Sequence, residues 1–532
     1  MNKFFLYKNN KNDYSFSLKQ CFPGKNALTD KNVSADLTEN KKYICQTFNI
    51  PKNGDIVLRE FSVKKGGREY AAILVSVDGL SDGDSINDFI LKPLMLTSGE
   101  PNVVTDKLAD YIEKRILTQG QITRTDNLRE MAEKVNIGNA ALLIDTMECG
   151  FIVDVKSWEH RGIGSPENEA VIQGPHEGFN EVLRSNTALI RKTLNNPNLI
   201  MENVFLGKTS KTPGALVYLG NVTNTGLVDE IRRRINEIDA EYILSSLDVE
   251  QYIEEESYTT LPQIMTTERP DRVCKAVSEG RAALVMNGSP HVLVMPVTFF
   301  DLITSAEDEY LRYPYSVFVR ILRYAAAIIA SLFPAVFVSL MNYHPELLMT
   351  NLTYAIASSR SAVPLGAVAE LLLMELAFEL IKEAGIRVPG PIGSTLGIVG
   401  GLIVGQAAVD ANIVSPIMII FVAVTGISAF TIPSYSLSFS FRFSRFLYIF
   451  GAAVAGLAGV TAVFFVNTLA AAGTKSFGVP FLSPMCPRES KSAAELIFGR
   501  PIWKRGEVRE EYLKPRDIQK KGKISRKWLY RR

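Results

Sequence analysis

The sequence predicts an α+β/α/β cytoplasmic N-terminal region of two subdomains, followed by an all-α polytopic membrane domain. Three observations carry this expectation. Charge is unevenly spread: residues 1–315 are mixed, residues 320–472 are mostly apolar, and residues 488–532 are charged again. Short strand-like runs alternate with helical stretches in the first part. Four long uncharged runs crowd the second. The segments expected are a flexible arm at 1–45, α/β subdomains at 46–175 and 176–315, a transmembrane helical domain at 316–485, and a basic tail at 486–532.

The arm is rich in Asn, Lys and Ser, and poor in apolar periodicity. Residues 54–78 read as two strands about a Lys-Lys-Gly-Gly turn. A helical stretch near Ile86–Leu96 and a polar helical region to Lys134 follow. AALLIDT (140–146) and GFIVDV (150–155) make a second strand pair. From His176 the pattern turns helical, with Phe179, Val182, Leu183, Ile190 and Leu194 at helical spacing. GALVYLGNV (214–222) is a strand. Leu227, Ile231, Ile235 and Ile238 stripe the next helix, and Arg232–Arg234 face away from that stripe, as a solvated face does.

The stretch 266–297, TTERPDRVCKAVSEGRAALVMNGSPHVLVMPV, carries the clearest signals. Pro270 suits a first helical turn and Gly280 a helix end. Asn287-Gly288 joins two apolar runs as a hairpin would. Glu268, Arg269, Pro270 and Asp271 form a structural motif, a capped helix start with a local ion pair.

Several function classes drop out. A formal net charge of +2 gives no reason to expect a nucleic-acid partner. The five cysteines are scattered without a CxxC, as free thiols in a reducing compartment, and the four histidines have no metal-ligand spacing. No phosphate loop, dinucleotide fingerprint, nucleophile elbow or HExxH is present. The chain is therefore expected to be no enzyme and to need no cofactor. No internal repeat is expected. The N-terminus has no apolar core of secretory length, which keeps the first domain cytoplasmic.

The uncharged runs are Tyr324–Met341 (18 residues), Ile392–Val409 (18), Ile413–Ile432 (20) and Phe446–Ala472 (27). About 20 residues cross a hydrocarbon core. Gly397, Gly401 and Gly405 recur every four residues with Gly400 beside them, a face on which another helix can approach closely, in one subunit or between subunits. GAAVAGLAG (451–459) offers a second such face. Arg320 and Arg323 place the start of the first run on the cytoplasmic side, and Arg442 and Arg445 precede the last run. From Arg500 to Arg532 there are 13 Lys/Arg against 4 Asp/Glu, so the tail is also expected to be cytoplasmic and near anionic lipid. Five spans would put it on the far side, and an even number of crossings is expected instead.

Ala369–Gly385, AELLLMELAFELIKEAG, is the exception among the apolar stretches. A carboxylate at the centre of a membrane helix costs at least about 2.5–3.5 kcal/mol, yet Glu370, Glu375 and Glu379 all lie here. Glu375, Glu379 and Glu383 form one drifting stripe, and Glu370 lies on the opposite side from Glu379. The helix therefore needs polar neighbours on two sides, such as Arg360, Lys382, Arg387 or water. Two readings stand: an ion path, or an interfacial helix whose acids pair with basic residues. Glu370, Glu375, Glu379 and Arg360 are the candidates for a pore or coupling role.

The order of the motifs resembles the A subunit of GerA-type spore germination receptors. The soluble part of the resemblance lies in GPHEGFNEVLRSNTALIRKTL, LPQIMTTERPD, EGRAALVMNGSP and EDEY. The membrane part lies in AELLLMELAFELIKEAGIRVPGPIGSTLGIVGGLIVGQAAV, SPIMIIFVAVTGISAFTIP and SFGVPFLSP. It spans roughly residues 50–490, and the two ends match poorly. The resemblance implies a subunit of the inner membrane of dormant bacterial endospores, with two α/β subdomains on the cytoplasmic, spore-core side. It implies a transporter-like B subunit that senses nutrient, a lipoprotein C subunit, and a ring of A subunits acting as a nutrient-gated cation channel. Two alternatives remain open: a secondary transporter using a broken helix at PGPIGSTLG (389–397), or an assembly scaffold.

Overall fold

The computed structural model describes residues 30–65, 68–96, 108–156, 164–166, 169–387, 391–486 and 498, with the backbone alone at 386–387, 391–399 and 402. The described chain divides into two units. One holds residues up to Glu254 together with Ile264–Pro296; the other holds Glu255–Gln263 and the chain from Val297 onward. The expected tail beyond 486 lies outside the described residues, apart from Phe498.

The first unit opens with α1 (Leu37–Thr47), capped by the Asp36 side chain, which accepts from the Thr38 N–H at 2.8 Å. This helix stands where composition predicts part of a mobile arm. Its Ile44 and the following Phe48 are buried against the sheet, which holds the segment in place. Next come β1 (Ile56–Lys65) and β2 (Arg68–Val77), the expected strand pair, then α2 (Gly83–Ile86), α3 (Lys92–Leu96) and α4 (Leu108–Tyr111), extended by π-helical turns. β3 (Ile122–Thr125), α5 (Leu128–Asn136), β4 (Ala140–Ile144) and β5 (Gly150–Val153) complete this half. The sheet runs β1-β2-β4-β5-β3, with every pairing antiparallel. Successive strand residues point to opposite faces, and both faces are covered. Ala72, Leu74, Leu142 and Ile144 meet the α2–α4 side, whereas Ile73, Val75, Ala141 and Leu143 meet α1 and α5. That double burial explains why AALLI is apolar at every position.

The second half rebuilds the same object. It contains α6 (Leu183–Thr193), β6 (Leu199–Leu206), β7 (Thr212–Leu219), α7 (Thr225–Asn236), α8 (Ser246–Ile253), β8 (Met265–Thr267), α9 (Pro270–Ser278), β9 (Ala282–Met286) and β10 (Val292–Met295). Its sheet order, β6-β7-β9-β10-β8, is that of the first sheet, again antiparallel. The match reaches single hydrogen bonds. Asn40 Nδ2 donates to the Ser34 carbonyl and Asn186 Nδ2 to the Asn180 carbonyl, both at 2.6 Å. The Leu37 N–H donates to Asp145 Oδ1 at 3.3 Å, and the Leu183 N–H to Asn287 Oδ1 at 3.1 Å.

The expectation of no internal repeat is therefore corrected. Ile122, Thr125, Val135, Gly138, Ala140, Ala141 and Leu142 recur without a gap as Ile264, Thr267, Val277, Gly280, Ala282, Ala283 and Leu284. Gly138 and Gly280 both end a helix with positive φ, +98° and +93°. The two halves are joined by fully buried Arg191 of α6. It holds Asp55 through two bonds (2.5 and 2.9 Å) and donates to Asn136 Oδ1 (3.0 Å) and to the Leu199 carbonyl (3.1 Å).

The second unit is helical. α10 (Phe299–Ile303) begins with a Thr298/Asp301 capping box. α11 (Tyr313–Tyr343), α12 (Thr350–Arg360), α13 (Ala367–Arg387), α14 (Pro391–Asp410), α15 (Pro416–Phe430) and α16 (Tyr435–Gly473) follow, then the short pair β11 (Lys475–Ser476) and β12 (Val479–Pro480). Among the described residues, α11 and α16 are long and apolar enough to cross a membrane. Arg320 and Arg323, expected as orientation markers, both pair with buried Asp308, whose two oxygens lie 2.7 and 2.6 Å from Arg323 Nη1.

The last apolar run, expected as one span, is not straight. Ala455 (φ −138°, ψ 20°) and Gly456 (φ 57°, ψ −138°) break α16. The Ser440 hydroxyl donates to the Thr260 carbonyl, and Ser476 Oγ to the Gln263 carbonyl. Thr260 and Gln263 are at most about 11 Å apart along the chain, whereas a straight helix from residue 440 to 473 would span about 50 Å. Both ends of α16 thus return to the same segment, and a Cβ on Gly459 would overlap the Gly451 carbonyl.

Candidate functional site

Helix α13 is dense in Ala, Leu, Met and Glu, residues that lose little on entering a helix. It exposes Leu372, Leu373, Leu376 and Leu380 within an arc of roughly 100°. Glu370 and Glu375 point inward and are fully buried.

Glu370 sits in the first turn of α13, where the helix dipole favours negative charge. Its Oε1 accepts from the Ser415 N–H (2.6 Å) and hydroxyl (2.5 Å), and its Oε2 accepts from Arg360 Nε (3.2 Å). Arg360 also donates to the Leu365 carbonyl at 3.3 Å. This carboxylate therefore ties the end of α12, the α12–α13 turn and the start of α15 together. Arg360 was among the partners expected.

Glu375 and Glu379, one turn apart, face the first part of α16. Arg445 is fully buried between them, with Nη1 2.7 Å from Glu375 Oε2 and Nη2 2.8 Å from Glu379 Oε1. The Glu375 contact is a close ion pair without the alignment of a hydrogen bond. Arg442 adds a second guanidinium on Glu379, donating from Nε to Oε1 at 3.0 Å and pairing through Nη2 with Oε2. Two carboxylates thus meet two guanidiniums, and Arg360 balances Glu370, leaving no net charge in either cluster.

From sequence position alone, Arg442 and Arg445 are only markers of orientation. The signal that could have found them is complementary spacing: two acids four residues apart on one helix and two arginines three apart on another share a face. Lys382, an expected partner, lies 4.5 Å over the Phe430 ring and is near enough to Glu379 to interact with it electrostatically. The side chain of Arg387 lies outside the described residues.

Helix packing at the described glycine candidates is loose. A Cβ at Gly400 or Gly401 would meet nothing within 4 Å, and one at Gly405 would meet only Ile419 at 3.9 Å. Gly397 lies where the backbone alone is described. The tight approach is elsewhere, at Gly426 of α15, against which the Phe378 ring of α13 is pressed.

In the α/β unit, Pro270 is the first residue of α9, and Arg269 is buried. Arg269 pairs with Asp271 (2.8 Å) and donates to the carbonyls of Glu169 (3.2 Å) and Pro175 (3.0 Å). The Glu268 carbonyl accepts from the Phe179 N–H at 2.8 Å, and its carboxylate lies 3.6 Å from His291 Nδ1. No side chain caps α9, so the motif works as a cross-brace to residues 169–179. Among the described residues no group of His, Cys, Asp and Glu is placed to hold a metal ion.

Comparison with known proteins places these features in a family. The family model described as Bacillus/Clostridium GerA spore germination protein matches residues 42–511. Spore germination protein KA of Bacillus subtilis (strain 168) is 34% identical over 499 residues, covering 94% of this chain and 90% of the relative. Spore germination protein GerLA of Bacillus cereus is 34% identical over 486 residues, 91% of this chain and 97% of the relative. A crystal structure of the N-terminal domain of the A subunit of the Bacillus megaterium spore germinant receptor GerK3 aligns to 51% of this chain and 98% of its own, at 29% identity and a TM-score of 0.40. Because the family match runs through both the α/β and the helical unit, the chain belongs to the GerA family of Bacillus/Clostridium spore germination proteins.

Proposed function

We propose that this chain is the A-type subunit of a nutrient germinant receptor in the inner membrane of the endospore, and that its helical unit, oligomerised, passes cations when nutrient is sensed. The α/β unit lies on the spore-core side. The partners are a transporter-like B subunit, a lipoprotein C subunit, further copies of this chain, and membrane lipid. The observation that carries the reading is the charge-balanced cluster of Glu375, Glu379, Arg442 and Arg445 between α13 and α16. Ionisable groups among membrane helices are costly and by default mark an ion path or its gate. A cluster that is neutral as a whole can re-pair when helices shift, opening a charged lining without creating or burying net charge.

Glu375→Gln tests this directly. Arg445 keeps Glu379, so the complex should still assemble. Release of monovalent cations from spores exposed to nutrient should change in rate, with receptor abundance unchanged. Wild-type release from a fully assembled Glu375→Gln receptor would instead leave these acids to helix packing, and the conducting path to other residues.

A further inference from the structure

We infer that α16 is a membrane hairpin with a latch: its two arms enter the bilayer from one face, and Tyr343 holds the folded tip closed. This rests on the membrane reading above, and adds to it where the chain turns back and what keeps it turned.

The fold-back is fixed at three levels. At its base, Ser440 and Ser476 are tied to carbonyls three residues apart, at Thr260 and Gln263, and the Val297 N–H donates to Ser476 Oγ at 3.0 Å. Along the arms, Gly451 and Gly459 allow backbone contact, and the Tyr448 hydroxyl and Asn467 side chain face each other from opposite arms. At the tip, Gly456 takes a conformation open to glycine, and a Cβ there would meet the Tyr343 ring at 2.9 Å.

No proline imposes the break, since GAAVAGLAG contains none. The turn therefore has to be stabilised from outside. A broken helix leaves up to four carbonyls of the first arm and four N–H groups of the second without helical partners, and hydrocarbon supplies none. The Tyr343 hydroxyl, at the end of α11, donates to the Ala453 carbonyl at 2.6 Å and lies 3.3 Å from that of Val454. One side chain from another helix thus serves the broken peptide groups.

The topology follows. The arms, Tyr435–Val454 and Leu457–Gly473, are about 30 and 25 Å long at 1.5 Å per residue. Residues 435 and 475 lie on one side, so the last apolar run adds no net crossing. The expected conflict between five spans and a cytoplasmic basic tail then disappears.

The experiment uses the full chain in sealed membrane vesicles, with the five native cysteines replaced. A membrane-impermeant maleimide should label Ser436→Cys and Lys475→Cys from the same side; labelling from opposite sides overturns the hairpin. In the pair Tyr448→Cys/Asn467→Cys, mild oxidation should remove both thiols as an intramolecular disulfide. In a straight helix these positions would be about 28 Å apart, and both thiols would persist. Adding Tyr343→Phe keeps the ring and removes the hydroxyl. The disulfide yield should then fall while same-side labelling remains, and an unchanged yield overturns the latch. No arm reads germination, so a hairpin can fail while the receptor reading stands. Conversely, recovery of the chain in the soluble fraction without detergent would sink the receptor reading itself.

Discussion

Removing Arg445 should be the most damaging single change in the helical unit. At about 2.7–2.8 Å from two carboxylates, it supplies roughly 6 kcal/mol of attraction to each at an effective dielectric of about 20. Most of that offsets the cost of taking the ions out of water, so the whole cluster contributes little net stability. Arg445→Met alters only one side of this balance. Glu379 keeps Arg442, but Glu375 is left fully buried and unpaired, which costs about 3–5 kcal/mol, or roughly a hundredfold or more in the folded ratio. The double variant Glu375→Gln/Arg445→Met removes the stranded charge and should recover most of the loss. Thermal unfolding of the purified chain in detergent, run as a double-mutant cycle, reads the coupling directly. If Arg445→Met costs less than about 1 kcal/mol, or if the double variant is no better than the single, Glu375 is solvated and the cluster is not dry.

In the α/β unit, Arg191→Met should cost a similar 3–5 kcal/mol by stranding buried Asp55, and Asp55→Asn should recover part of it in circular-dichroism melts of the full chain. Burial, with Glu254 close by, pushes the Glu250 carboxyl up to about 7. A carboxyl raised in the folded state stabilises it fully below the unfolded value near 4.5, and that stability is lost as pH rises through 7. Partial exposure limits the loss to about 1–2 kcal/mol. Glu250→Gln should flatten the pH dependence of melting between 4.5 and 7, and an unchanged slope would refute the assignment. Gly426→Leu should cost about 1–3 kcal/mol by overpacking against Phe378, with Phe378→Leu relieving it in the same melting assay.

What was legible in the sequence followed periodicity and turn chemistry. The β1–β2 pair, the α7 stripe, Pro270 opening α9 and the β9–β10 hairpin are each specified within a few residues, so local reasoning reaches them. β3 and β8 are four and three residues long and carry too little pattern to register. The repeat escaped because its matching residues are mostly small apolar ones, and the polar positions between them have diverged. At the site, the acids and Arg360 stood out as costly groups in an apolar setting. The partners of Glu375 and Glu379, Arg442 and Arg445, are more than sixty residues away, and only the tertiary fold brings these long side chains together. The break in α16 was hidden for a related reason: an apolar run reads the same whether straight or bent double, and the tethers at Thr260 and Gln263 lie in a distant segment.

The repeated α/β halves hold two equivalent helix starts, and these serve different uses. In the first, Asn127 closes its own helix, accepting from the backbone of Arg129 and Glu130. In the second, the same position is Arg269, which leaves α9 uncapped and reaches out to the irregular stretch around Glu169 and Pro175. A substitution at Asn127 is thus a local injury, confined to one helix end. One at Arg269 unfastens a stretch some hundred residues upstream, so the two sites should tolerate variation very differently even though they occupy equivalent positions in the two halves.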